Sequence, residues 1–124
     1  MLSLVFPVPA GQAASPIGPV QFLRVVDNAL QPDVSAPPVA VYHAGFWQVG
    51  QDHYTSFEVE GPARVHCEDK SGQCSATIGP FPRLKFFDGA LRLGDANILA
   101  LYDEHLHEWR LFPEGKTYPV LVID

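Results

Sequence analysis

"FFDGAL", residues 86 to 91, is the stretch whose reading decides the fold. Asp-Gly between apolar residues is the strongest short signal for two antiparallel strands joined by a two-residue type I′ turn, which asks for positive φ at both central residues. Such a turn sets Phe87 opposite Ala90 and Phe86 opposite Leu91. Alternate residues of a strand share a face. Leu84, Phe86, Leu91 and Leu93 therefore fall on one side, and Lys85 and Arg92 on the other. A hairpin with one apolar face has to lie on a core.

Working outward, a loop over 94–97 would pair Leu93 with Ile98 and carry the inner face on through Ala100 and Tyr102. Leu99 and Leu101 then fall on the opposite face. An apolar second face asks for cover, and a homodimer through the face carrying Leu99 and Leu101 would supply it. Next comes "DEHLHEW", 103 to 109. With a loop of Glu104 to His107, Tyr102 comes opposite Trp109 and Ala100 opposite Leu111, a favourable cross-strand aromatic pair.

The same punctuation runs the length of the chain. Twelve prolines and ten glycines separate short apolar runs, the pattern of many strands joined by turns. Candidate strands are 2–8, 38–49, 53–60, 63–68, 73–78, 83–87, 90–93, 98–102, 107–112 and 117–123. Most neighbours are too close for crossover connections, so pairing is antiparallel. The expected fold is all-β, a meander-rich barrel or sandwich of about nine or ten strands. One segment reads two ways. "GPVQFLRVVDNALQP", 18 to 32, places Val20, Leu23, Val26 and Leu30 at helical spacing, yet also fits a strand and a turn. No internal repeat stands out.

At 124 residues the chain is one domain's length, and 47% hydrophobic with 18% charged residues is a globular balance. A net charge of −6 with dispersed Lys and Arg argues against a nucleic-acid partner. No apolar run reaches the roughly 18 residues of a membrane helix. The opening "MLSLVFPVPAGQAASP" is apolar but lacks a basic start and is broken by Pro7 and Pro9. It reads as a first strand, Leu2 to Val8, of a cytoplasmic protein.

Chemistry is sparse. No G-x-S-x-G and no phosphate-cradling glycine loop occurs, so no cofactor is expected. "HCEDKSGQC", 66 to 74, reads as a hairpin with Cys67 facing Cys74, both expected as thiols inside a cell. "VYHAGFWQVGQDHYTSF", 41 to 57, is the densest aromatic stretch. A loop over 50–53 would bring Phe46 opposite Phe57, both in the core. That leaves Tyr42, His43, Trp47 and Tyr54 to line a ligand or partner surface, a role suited to aromatics with a polar handle.

The leading expectation is therefore a non-catalytic module that binds a small apolar or aromatic molecule or a protein partner. The alternative is a metal-dependent enzyme. On a strand His105 and His107 would project from one face about 7 Å apart, with Asp103 beside them and Glu108, His43, His53 or His66 completing a shell. This H-x-H spacing resembles that of the cupins, small β-barrel proteins whose histidine pair is followed by a glutamate, and the resemblance implies a metal centre at His105 and His107. A cupin glycine stands close before the pair, whereas here the nearest is Gly94, and no histidine follows His107. A third reading is an inhibitor or adaptor acting through its surface alone.

Overall fold

The computed structural model describes residues 13–14, 22–95 and 97–124, without the side chains of 13–14 and 74–76. The expected strand over 2–8 lies outside them. The strands are β1 (Ala13–Ala14), β2 (Leu23–Val26), β3 (Ala29–Gln31), β4 (Ala40–His43), β5 (Phe46–Val49), β6 (Asp52–Tyr54) and β7 (Ser56–Glu68). They continue with β8 (Cys74–Phe87), β9 (Ala90–Leu93), β10 (Asn97–Asp103), β11 (Glu108–Leu111), β12 (Thr117–Tyr118) and β13 (Val120–Ile123). The all-β expectation holds, with no helix among the described residues. β2 to β13 form one antiparallel path, β12-β11-β10-β9-β8-β7-β13-β2-β3-β4-β5-β6, whose two ends do not pair. β1 lies beside β7 in parallel.

The helical reading of 18–32 is overturned for its described part. Leu23–Val26 and Ala29–Gln31 are paired strands around an Asp27-Asn28 turn. The β-branched pair Val25-Val26 and the turn-forming Asp-Asn outweigh the spacing of apolar residues. The hairpin at Asp88-Gly89 has the expected register, Phe87 with Ala90 and Phe86 with Leu91. Its turn differs from type I′, since Asp88 takes positive φ (58°) and Gly89 does not. Ala100 with Leu111 and Tyr102 with Trp109 also pair as the sequence requires.

Four expectations need correction. Residues 38–49 are two strands, because Ala44 and Gly45, both at positive φ, make the tight turn themselves. A two-residue turn at Gly50-Gln51 then pairs Trp47 with Tyr54, where a longer loop would have paired it with Ser56. Changing which face a strand residue occupies exchanges inside and outside. Trp47 is fully buried and Phe46 is 40% exposed, the reverse of the sequence reading. Second, 53–68 and 73–87 are not broken at their prolines. β7 and β8 run through, with register shifts near Glu60, Ala63 and Val65 that bend the pair. Third, another shift sets Cys67 against Ala76 and Cys74 against Glu68, so the cysteines are not opposed. Fourth, Asn97 rather than Ile98 meets Leu93, and a bulge at Leu99 follows. Leu99 is half-buried and packs against the core.

The core is aromatic at its centre. Phe57 and Phe86 stack with centroids 5.1 Å apart, and Trp47 meets both edge-on at 5.5 and 5.2 Å. Trp109 closes on Phe86 from the other side. The path's two arms, β3–β6 and β9–β12, thus fold back over the β7, β8, β13 and β2 strands.

The arms are copies of each other. "LRVVDNAL", 23 to 30, matches "LKFFDGAL", 84 to 91, and "AVYHAGFWQV", 40 to 49, matches "ALYDEHLHEWRL", 100 to 111. Pairing repeats position by position. Tyr42 faces Trp47 as Tyr102 faces Trp109, and Trp47 faces Tyr54 as Trp109 faces Tyr118. The closing strands are exchanged between halves. Phe57 pairs with Phe86 and Val59 with Leu84, as Leu121 pairs with Val25 and Ile123 with Leu23. The chain therefore contains the repeat that its sequence, read linearly, conceals, and the two halves are related by a pseudo-twofold axis.

Candidate functional site

The two halves hold each other at two equivalent latches. Trp47 Nε1 donates to the Asp88 carbonyl at 2.8 Å, and Trp109 Nε1 to the Asp27 carbonyl at 2.7 Å. Tyr42 donates its hydroxyl hydrogen to Asp88 Oδ1 at 2.7 Å, and Tyr102 donates to Asp27 Oδ1. Within each half a matching backbone bond holds the tyrosine in place, Tyr42 N–H to the Asn28 carbonyl and Tyr102 N–H to the Gly89 carbonyl, both at 2.8 Å. Asp27 and Asp88 both adopt positive φ, 56° and 58°. Aspartate tolerates that conformation better than most residues, and here its carbonyl and carboxylate are both engaged by the opposite half.

Tyr42 and Tyr102, equivalent residues, meet edge-to-face with centroids 6.4 Å apart. The pseudo-twofold axis passes between them. A shallow cleft of about 210 Å³ opens there, lined by Asn28, Tyr42, His43, Ala44, Tyr102, Glu104 and His107. His107 donates from Nδ1 to Asp27 Oδ1 at 3.0 Å and lies 3.3 Å from the Tyr102 hydroxyl.

Of the residues expected to bind a ligand, Tyr42 and His43 reach this cleft. Trp47 and Tyr54 do not, since both are buried as a cross-strand pair in the core. The expected metal group is also divided. His105 and His107 occupy the exposed four-residue turn between β10 and β11, not a strand face. Asp103 is committed to that turn, where Oδ1 accepts the N–H groups of His105 and Leu106 while Oδ2 accepts from Arg110. These bonds, the Leu106 N–H foremost, hold its carboxyl below the ordinary range. No three metal-ligating side chains converge among the described residues. Tyr102, Asn28 and Glu104 were missed by sequence reasoning. The repeated L-x-x-x-D-x-A-L pattern was the signal that could have paired Tyr102 with Tyr42.

The phenols report the field around the cleft. Burial and then the Asp88 carboxylate push Tyr42 up to about 12, against a small opposing effect of the Gly45 backbone. Burial and Asp27 push Tyr102 up likewise. Away from the axis, the Glu114 hydrogen bond and burial push Tyr118 up to about 12. In each case the folded state favours the protonated phenol. Their stabilising contribution is full below the unfolded value near 10 and is lost as pH rises toward 12. Alkaline titration followed at the phenolate absorbance should accordingly show these three tyrosines ionising late in native protein and near pH 10 in urea. Tyr42→Phe should remove one late step. Ionisation of all three together near pH 10 in the native state would contradict the latches.

Searches with this chain match no protein-family model, no curated protein and no solved structure.

Proposed function

We propose that this protein is a non-catalytic binding module whose axial cleft receives a small molecule or a side chain of a protein partner, in the cytoplasm. The observation that carries this reading is convergence. Tyr42 and His43 from the first half and Tyr102, Glu104 and His107 from the second line one concavity, though they are far apart in sequence. Aromatic bodies with polar tips give such a site area and orientation together. The cleft's polar rim points to a ligand with polar or charged groups, where the sequence had suggested an apolar one. The barrel or sandwich architecture belongs to this proposal as well, as a rolled sheet whose axial opening is the binding mouth.

Native mass spectrometry of untagged protein, purified without added metal, tests it. The expected result is a co-purified organic adduct that His43→Ala reduces, since this exposed side chain can be removed without touching the core. A zinc, iron or nickel increment lost after His105→Ala would instead make the β10–β11 turn a metal centre.

A further inference from the structure

The two halves match through their strands but differ in their loops, and one of these differences opens onto the cleft. The first half turns from β4 to β5 with Ala44 and Gly45 alone, whereas the second turns from β10 to β11 with Glu104 to His107. The longer turn brings two further titratable side chains to the axis. His107 is taken up by Asp27. Glu104 is exposed and has no hydrogen bond or ion pair among the described residues. It lines the cleft together with Tyr42 and Tyr102.

The groups around the axis are thus two tyrosine rings set edge-to-face and an unpaired carboxylate, with Asn28, His43 and His107 on the rim and the carboxylates of Asp27 and Asp88 behind the phenols. The permanent cation nearest in sequence, Arg110, is engaged by Asp103. An anion entering here would meet like charge, and a purely apolar group would strip water from Glu104 without return. A soft organic cation satisfies both features, since its charge meets the carboxylate and its flat or alkyl surface meets the rings. From this juxtaposition we infer that the axial cleft is a subsite for an alkylammonium or guanidinium group, with Glu104 as its counter-ion and Tyr42 and Tyr102 as its walls. The inference rests on the binding-module reading and names the chemistry of what binds.

The test is amide chemical-shift mapping of the full chain with n-butylammonium, guanidinium, neutral n-butanol and n-butyrate, repeated with Glu104→Gln. Glu104 lies in an exposed turn, so the variant should fold as the parent does. The expected result is saturable shifts at Tyr42, Tyr102, Glu104 and His107 with the two cations. They should weaken about fivefold in Glu104→Gln and fall further as salt is added. A capped Gly-Arg-Gly peptide separates two sources of the same chemistry. Equal or tighter binding of the peptide assigns the subsite to a partner's arginine, and exclusion of the peptide assigns it to a free small cation. If butanol shifts the same amides as strongly as butylammonium, or Glu104→Gln changes nothing, the cation assignment is overturned while the binding module stands. If no probe moves these amides, and no organic adduct co-purifies, both fall.

Discussion

Trp47→Ala should lower the stability of the protein by about 3–5 kcal/mol, read as a shift in denaturation midpoint at unchanged m-value. The side chain is fully buried. Its removal empties the space beside the stacked Phe57 and Phe86 and leaves the Asp88 carbonyl without its donor. Both effects point the same way, since a cavity in a close-packed core and an unsatisfied polar group each destabilise. Trp109→Ala should cost a similar amount, because it holds Asp27 by the same bond at the equivalent place. Phenylalanine separates the two effects. Trp47→Phe keeps most of the bulk but loses the N–H, and about 1–3 kcal/mol of the loss should remain. A cost below about 1 kcal/mol for Trp47→Ala would mean that the β4–β5 register is wrong and that the indole lies outside, the range typical of surface substitutions.

Gly61→Ala should be comparably severe, about 3 kcal/mol or more, by crowding instead of by cavity. A methyl group at Gly61 would lie 1.9 Å from the Phe81 carbonyl oxygen and 2.7 Å from the Ala63 backbone nitrogen. Both are backbone atoms of the bent β7–β8 pair, so no side chain can rotate away to make room. Relief requires the two strands to separate where their register already shifts, and Val59 and Val65, on either side of the shift, are core residues. Gly50→Ala is the matched control. Nothing lies within 4 Å of its added carbon, so its cost should be confined to the positive φ of that turn. Equal midpoints for the two variants would show that the strands do not approach as closely as described.

Where the sequence could be read, local chemistry sufficed. The Asp-Gly turn fixed its own register, and the Tyr102–Trp109 pair followed from a loop long enough to admit no close competitor. Trp47 falls on the wrong face when "HAGF" is read as strand, because Ala44-Gly45 is itself a turn. Shortening the following loop from four residues to two moves the partner of Trp47 from Ser56 to Tyr54 and puts Trp47, not Phe46, in the core. The duplication stayed hidden for a different reason. Only a few scattered positions are identical, among them Leu and Ala that any strand might carry, and the loops between them differ in length: 32–39 against 94–96, and 50–51 against 112–116. The cleft was half legible for the same cause. Tyr42 and His43 were noticed through aromatic density, but nothing linear joins them to Tyr102 and Glu104 sixty positions on, a distance only the exchange of strands closes.

That exchange also governs how the chain can assemble as it is made. β13 lies between β7 and β2 in the sheet, joining the two arms. Of the described strands it is the last to be made, well after β2. Domains usually consolidate from the N-terminal side during synthesis, yet here one edge of β2 waits unpaired until β13 has been made. The two copies therefore cannot mature one after the other, and the molecule should gain its native protection against hydrogen exchange in a single late step.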